Sequence, residues 1–208
     1  MKGHRWFAAS FDFMNKITGT ERKFLARYRP HIVGEADGRI LEIGAGTGAS
    51  FPYYKNTAKV IATEPDPYML ERARRRLDQL GVDSIELRQA AAEDMPFEDE
   101  TFDHVVSTMV FCSVSDPLRA LSEVRRVLKP GGAFRFIEHV RYDDGLRGRI
   151  QDALVPVWSW VGAGCHPNRR TLETLREAGF EVVELDRYKM GMIPVVVGVA
   201  RSGEARAT

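Results

Sequence analysis

Short apolar runs alternate along the chain with longer stretches in which apolar residues recur every three or four positions. Runs of about four to eight apolar residues between turn-forming residues are typical of strands, and the longer period is typical of amphipathic helices. The predicted strands cover residues 39–43, 59–63, 84–88, 102–108, 133–139, 181–187 and 195–200. This alternation predicts an α/β fold whose mainly parallel sheet is covered by helices on both faces and closed by an antiparallel pair.

Three helices have recognisable start and stop signals. Asp66 is expected to cap a helix that has Pro67 at its first position and ends at Gly81. A second helix is expected to run from residue 116 to the Pro-Gly-Gly turn that begins at residue 130, and a third covers residues 168–179. With no internal repeat, the chain is expected to form a single domain, 1–208.

Composition narrows the class of protein. The 208 residues are 44% hydrophobic, and 30 basic residues against 29 acidic ones leave a net charge of +1. This balance disfavours nucleic acid as the main partner and favours a small-molecule substrate. No run approaches the roughly 18 apolar residues of a transmembrane helix, so we expect a soluble, cytoplasmic protein. Cys112 and Cys165 are far apart and lack a CxxC spacing, so neither a disulfide nor a metal site is predicted.

The first predicted strand runs directly into three alternating glycines at residues 44, 46 and 48. Glycine lets the backbone approach a nucleotide-like ligand where a Cβ atom would block it. The pattern leaves two ligands open. Gly44, Gly46 and Ala49 also satisfy the dinucleotide fingerprint GxGxxG/A, and Glu64 follows about twenty residues later, where that fingerprint places an acid on the ribose.

Five ordered motifs carry a family resemblance. They read EIGAGTG at 42–48, EPD at 64–66, AEDMPF at 92–97, FD at 102–103 and EVRRVLKPGG at 123–132. Together they resemble the class I S-adenosylmethionine-dependent methyltransferases. The resemblance implies a Rossmann-like, seven-stranded sheet with an antiparallel last strand, S-adenosylmethionine as cofactor and S-adenosylhomocysteine as product. It divides the domain into an N-terminal helical cap, a cofactor-binding core, an acceptor-site cap insertion and a closing helix with a strand pair, at residues 1–34, 39–139, 140–168 and 169–201.

The resemblance also assigns the cofactor site. Glu42 is expected to face the ammonium group of the cofactor, and the backbone of Gly44, Ala45 and Gly46 its amino-acid portion. Glu64 is expected to accept both ribose hydroxyl groups in a bidentate bond.

The adenine contacts are assigned less uniquely. Either Pro65 or Met69 can pack on the adenine face, although a methionine at helical spacing is more often part of a core. The edge of the ring is expected near Ala92, Glu93 and Asp94. Ala91 stands where many members have an aspartate, so backbone or one of the two acids must serve there. Thr108, at the end of the fourth strand, completes the predicted set, which is Glu42, Gly44, Ala45, Gly46, Glu64, Pro65, Met69, Ala92, Glu93, Asp94 and Thr108.

Four further segments resemble the alkyl thiol S-methyltransferases, a group related to the UbiE methyltransferases. They cover residues 110–114, 136–140, 154–158 and 162–165. The resemblance implies a small-molecule thiol as methyl acceptor. Segment 108–114 is apolar and lacks the Asn/Asp-Pro-Pro-Tyr element of methyltransferases that act on DNA bases or glutamine, which agrees with this acceptor.

A thiol with a pKa of about 8.5 is only slightly ionised at neutral pH, so transfer to sulfur benefits from a base or a cation nearby. His139 is the leading candidate for this catalytic role, with Arg141 as supporting charge and His166 as a competitor. The alternative for His139 is a structural hydrogen bond that braces a helix.

Several alternatives stay open. Aromatic residues outside the sheet either roof the acceptor pocket or contact a membrane surface peripherally; they are Trp6, Phe11, Phe13, Trp158 and Trp160. The alternative acceptors are a lipid amine of the phosphatidylethanolamine type and a quinone or aromatic carbon. Two alternative functions, a nicotinamide-dependent reductase and a non-catalytic binding protein, are also compatible with the glycine turn. The sequence leaves the oligomeric state unassigned.

Overall fold

A computed structural model describes residues 20–161 and 164–202. These residues form a seven-stranded sheet in the order β3-β2-β1-β4-β5-β7-β6. The strands are β1 (Arg39–Ile43), β2 (Lys59–Thr63), β3 (Ile85–Arg88), β4 (Phe102–Thr108), β5 (Leu128–His139), β6 (Phe180–Met190) and β7 (Ile193–Ser202). The helices are α1 (Thr20–Ile32), α2 (Pro67–Leu80), α3 (Pro117–Val127), α4 (Gly145–Val161) and α5 (Thr171–Glu177).

The first five strands pair in parallel, and β7 pairs antiparallel with both β5 and β6. This confirms the predicted fold class. Within the described ranges, no helix combines the length and the apolar character required to cross a bilayer.

Both faces of the sheet are buried, because successive side chains of a strand point to opposite faces. In β1, Leu41 and Ile43 belong to a core that contains Leu121 of α3. Ile40 belongs to the opposite core, which contains Ala73 of α2. The polar exception on the second face is Glu42, which is 2% exposed. A buried carboxylate in an otherwise apolar strand marks this end of β1 as a candidate for function.

Local signals fix the helix that follows β2. The Asp66 side chain accepts hydrogen bonds from the backbone N–H groups of Tyr68 and Met69 at 2.8 and 3.2 Å, and Pro67 follows it. Gly81 ends the helix in the left-handed conformation, with φ of +62°. Both ends lie where the sequence predicts them.

The predicted boundary at the Pro-Gly-Gly turn is wrong. The Pro-Gly-Gly turn was expected to stop the helix before a strand at residue 133, but α3 ends at Val127 and β5 begins at Leu128. Leu128 pairs with Phe102, and the register then shifts before Ala133 pairs with His104. The turn is therefore a bulge within β5, because pairing with β4 extends the strand across it.

The order of the strands creates the crevice for the site. Chain order reverses between β1 and its neighbour β4, and open α/β sheets bind ligands outside the carboxyl ends of their strands at such a point. The glycine turn, Glu64, Thr108 and His139 all lie at this edge.

Candidate active site

The glycine turn takes a backbone conformation that side chains disfavour. Gly44 and Gly46 have φ of +62° and +58°. A Cβ atom on Gly44 would lie 2.5 Å from Val110 Cγ2, whereas a Cβ atom on Gly46 would meet nothing within 4 Å. Gly44 is therefore required by packing, and Gly46 borders open space that a ligand can occupy.

Glu64 ties this turn to the end of β2. Its Oε2 atom accepts the Gly46 N–H at 2.9 Å, and its Oε1 atom accepts the Asp66 N–H at 2.9 Å. The residue is 8% exposed, and burial raises the pKa of its carboxyl group. Because each carboxylate oxygen offers two lone pairs, Glu64 can still accept a hydroxyl group of a ligand.

Glu42 lies next to this turn in a buried polar cluster. Tyr54 donates its hydroxyl to Glu42 Oε2 at 3.0 Å. Burial raises the pKa of Glu42 to about 7, although hydrogen bonds with Ser50 and Tyr54 act in the opposite direction. Sequence reasoning missed Ser50 and Tyr54, because nothing in the motif indicates that the turn folds back over β1.

The residues predicted near adenine have differing environments. Met69 and Ala92 are buried, and Asp94 is exposed and forms an isolated β-bridge with Ala91. The Pro65 carbonyl accepts a hydrogen bond from Gln89 Nε2 at 3.0 Å. Glu93 Oε1 accepts the Ser115 N–H at 2.8 Å. Glu93 therefore supports the chain that leads into α3, and the adenine contacts of this set stay predictions.

A buried carboxylate that the sequence did not single out organises the end of β4. Glu138 accepts hydrogen bonds from Ser107 Oγ at 2.6 Å, from the Val110 N–H at 2.9 Å and from the Phe111 N–H at 3.1 Å. Burial raises its pKa to about 7. The segment that it holds includes Met109, whose φ of +58° is a strained value for a residue with a side chain.

Thr108 precedes this segment and has a hydroxyl group that is buried without a hydrogen-bond partner among the described residues. A buried hydroxyl without a partner is costly unless a ligand supplies one. Its location at the end of β4, beside β1, agrees with the predicted cofactor site.

His139 lies at the end of β5, as predicted, and is 7% exposed. Its Nδ1 atom is 3.7 Å from Cys165 Sγ, and the Cys165 thiol is also in contact with Cys112. The hydrogen bond with Cys112 and the nearby imidazole lower the pKa of Cys165. The separation of the two cysteines in sequence gave no indication of this contact.

The other two predicted catalytic residues have structural partners. The Arg141 guanidinium forms an ion pair with Asp152, with Nη2 2.9 Å from Oδ2. The His166 ring contacts the Gly164 carbonyl at 2.7 Å through Nδ1, and its backbone N–H donates to the Cys112 carbonyl at 2.6 Å. Both residues therefore hold the 164–169 loop and α4 against the end of the sheet.

The aromatic residues of α4 differ in exposure. Trp158 is 43% exposed and reaches the Cys165 thiol, whereas Trp160 is 86% exposed. Trp160 therefore makes little contact with the rest of the described protein. Trp6, Phe11 and Phe13 lie outside the described residues.

Comparison with known proteins identifies the family. Residues 41–136 match a family described as a methyltransferase domain. Phosphatidylethanolamine N-methyltransferase of Cereibacter sphaeroides is 35% identical over 159 residues, which cover 76% of this chain and 76% of that protein. The chain belongs to the S-adenosylmethionine-dependent methyltransferases.

This methyltransferase also matches two further proteins, over different shares of their lengths. Thiol S-methyltransferase TMT1B of Rattus norvegicus is 37% identical over 157 residues, which cover 71% of this chain and 62% of that protein. The chain thus spans less than two thirds of that relative. A solved S-adenosylmethionine-dependent methyltransferase from Thermotoga maritima is 25% identical with a TM-score of 0.67, covering 94% of this chain and 98% of that one.

The strand ends of this methyltransferase fit S-adenosylmethionine. Gly46 leaves open space, Thr108 offers a buried hydroxyl without a partner among the described residues, and Glu42 and Glu64 bring two buried carboxyl groups to the same edge. Such carboxyl groups suit a cofactor that carries an ammonium group and a sulfonium. Family membership therefore decides between the two ligands that the glycine pattern left open.

Alanine substitutions separate the packing role of Gly44 from the predicted ligand-facing role of Gly46. Both positions have φ near +60°, so a Cβ atom costs about 1–2 kcal/mol of backbone strain at each. Gly44→Ala also clashes with Val110 and should lower the melting temperature more. Gly46→Ala should weaken S-adenosylhomocysteine binding at least tenfold in calorimetry, because its methyl group enters the ligand space.

Gly81→Ala is the matched control for this pair. Gly81 has φ of +62°, and a Cβ atom added there would meet nothing within 4 Å, but it lies at the far end of α2. It should lose stability without losing affinity. Equal affinity in Gly46→Ala and Gly81→Ala would contradict the assignment of the turn.

Glu42→Gln tests the buried carboxyl group through the pH dependence of stability. The folded protein holds this proton up to about pH 7, compared with an ordinary pKa of 4.5. Because the folded pKa is raised, the stabilisation is complete below pH 4.5 and is lost as the pH rises through 7. The free energy of unfolding of the wild type, relative to the variant, should therefore fall by up to about 3 kcal/mol across this window.

Urea unfolding of both proteins at several pH values between about 4.5 and 7.5 measures this difference. Other buried acids contribute to both proteins, so the difference isolates Glu42. Parallel pH profiles would show that Glu42 ionises normally in the folded protein.

Proposed function

We propose that this methyltransferase transfers its methyl group to the sulfur of a small organic thiol. The observation that carries the proposal is the cluster of Cys112, His139 and Cys165. Cys112 follows β4 two residues after Val110, which packs against Gly44, and His139 ends β5. The similarity to a thiol S-methyltransferase supports the same acceptor.

The side chains around the proposed acceptor position are apolar or carry polarisable sulfur. Val110 contacts the glycine turn, Phe111 and Cys112 are buried next to it, and Trp158 reaches Cys165 from α4. Such a surface excludes water and accepts a polarisable sulfur, but it offers few hydrogen bonds to an amine or a hydroxyl acceptor.

Some residues bind the cofactor, and others orient the acceptor. S-adenosylmethionine supplies an activated methyl group on its sulfonium. We assign Glu64 to the ribose, the backbone at 44–46 and Glu42 to the amino-acid portion, and Thr108 to the polar edge next to the acceptor. His139 is the predicted catalytic residue that faces the acceptor end, whereas Arg141 and His166 position the loop that covers it.

Displacement at a methyl carbon requires the attacking sulfur and the leaving sulfur to be collinear with it. The protein favours this collinear arrangement by holding two segments rigidly, the glycine turn and segment 108–111. Glu64 holds the glycine turn, and Glu138 holds segment 108–111.

A lipid amine is the second candidate acceptor. Four apolar side chains of α4 are between 52% and 70% exposed: Leu146, Ile150, Leu154 and Val157. An exposed apolar helix face suits contact with a lipid surface. The similarity to phosphatidylethanolamine N-methyltransferase favours the same alternative.

A product assay with methyl-labelled S-adenosylmethionine distinguishes the acceptors. The protein is incubated with an alkyl thiol, with the alcohol of the same chain as matched control, with phosphatidylethanolamine vesicles and with a reduced quinone. Mass spectrometry should detect a methyl thioether and no methyl ether. Label on the lipid amine with the thiol unchanged would establish the second candidate instead.

Glu64→Ala tests the cofactor assignment independently of the acceptor. The substitution removes the acceptor of the Gly46 and Asp66 N–H groups as well as the predicted ribose contacts, and each charge-assisted hydrogen bond contributes about 1.5–3 kcal/mol. Calorimetry should show S-adenosylhomocysteine affinity reduced by more than tenfold in a folded protein. Unchanged affinity would mean that the ribose does not lie at the end of β2.

A further inference from the structure

Three side chains of types that can bind a metal ion converge from three separate segments of the chain. Cys112 follows β4, His139 ends β5 and Cys165 lies on the loop after α4. Their ligand atoms all lie within 4.8 Å of one another, and Cys165 Sγ is 3.7 Å from His139 Nδ1. Among residues 20–161 and 164–202, no other three cysteine, histidine or acidic side chains meet in this way.

Two side chains of the cluster are buried and Cys165 is partly buried. Cys112 is 2% exposed and His139 is 7% exposed. His139 Nε2 is buried and has no hydrogen-bond partner among the described residues. The Cys112 thiol lies 3.5 Å from the Met109 carbonyl, a weak contact that ionisation of the thiol would remove. Two thiols and an imidazole Nδ1 atom that meet with only weak hydrogen bonds between them are better satisfied by an ion that all three can bind.

The chemistry of the three side chains selects the ion. Two thiolates and an imidazole form a soft ligand set that zinc prefers, and a site with three protein ligands keeps a fourth position open. Zn–S bonds of about 2.3 Å and Zn–N bonds of about 2.0–2.1 Å at tetrahedral angles place neighbouring ligand atoms roughly 3.5–3.8 Å apart. The separation of Cys165 and His139 already lies in that range.

The backbone holds the cluster in place. The His166 N–H donates to the Cys112 carbonyl at 2.6 Å, which joins the cysteine loop to the end of β4. The Thr171 hydroxyl lies 3.5 Å from the His139 carbonyl, which joins α5 to the end of β5. Small side-chain movements are therefore sufficient to close the site around an ion.

We propose that Cys112, His139 and Cys165 bind a zinc ion whose open fourth position takes the acceptor thiol. This inference rests on the proposed thiol acceptor and deepens it. The acceptor sulfur forms a bond to zinc, its S–H bond breaks and the proton leaves to solvent. The bound thiolate then gains the methyl group, and the electron pair of the broken sulfonium C–S bond stays on the sulfur of S-adenosylhomocysteine. The neutral thioether dissociates, and zinc does not change its oxidation state.

Cobalt substitution tests the metal site without any methyl transfer. The full chain, freed of metal by a chelator and kept in a phosphine reductant that contains no thiol, is titrated with Co²⁺. One equivalent should give thiolate-to-cobalt charge-transfer absorption and the intense visible bands of tetrahedral cobalt, and Zn²⁺ should displace it. Absence of these bands would overturn the proposal, as would a disulfide between the two cysteines that persists in the reductant.

Single variants assign the ligands. Cys112→Ser and Cys165→Ser should each weaken metal binding by at least about 100-fold, since even groups that only support a ligand contribute 10–100-fold. His31→Gln, at an exposed histidine on α1, is the control and should bind as the wild type. A rise in melting temperature with S-adenosylhomocysteine, measured on each serine variant, shows that it is folded. Unchanged binding in a folded Cys165→Ser protein would reject the site.

Adding the alkyl thiol to the cobalt protein tests the open position. Thiolate ligation should increase the charge-transfer absorption, and the matched alcohol should leave it unchanged. Absence of cobalt bands together with intact thiol methylation would reject the zinc site and leave the proposed function standing. Cobalt bands that do not respond to the thiol, in a protein that methylates only lipid, would reject the thiol acceptor.

Discussion

The glycine turn and the cluster of Cys112, His139 and Cys165 both depend on hydrogen bonds to the buried carboxylate of Glu138. It accepts hydrogen bonds from one hydroxyl and two backbone N–H groups at the end of β4 and in the segment that follows it. That segment carries Val110, which packs against Gly44 of the cofactor turn, and Cys112, which meets His139 and Cys165. A single buried acid on β5 therefore fixes the glycine turn and the cluster of Cys112, His139 and Cys165 relative to each other.

Three buried carboxyl groups lie along this edge of the sheet. Glu42, Glu64 and Glu138 are each buried, and burial raises the pKa of each. Their hydrogen bonds come from the backbone, from Ser50 and Tyr54, and from Ser107. A positively charged cofactor offsets the desolvation of such groups better than a neutral ligand does.

The sequence was sufficient to predict the framework because its signals are local. Strands 39–43, 59–63 and 102–108 match the structure to the residue, since each is an apolar run between turn-forming residues. The Pro-Gly-Gly turn misled because pairing of Leu128 with Phe102, which no local pattern indicates, extends β5 through it. The site was only partly predictable for the same reason. A motif at fixed spacing identifies the glycine turn and Glu64. The role of Glu138 and the cysteine–histidine cluster depend on segments that meet only in the folded chain.

We propose that the cofactor binds along the carboxyl edge of β2, β1, β4 and β5. A crystal structure of the protein with S-adenosylhomocysteine tests it most directly. We expect the ribose at Glu64, the amino-acid portion over residues 44–46 and the sulfur facing the cluster of Cys112, His139 and Cys165. A sulfur atom that faces away from this cluster, or a ribose bound elsewhere, would contradict it.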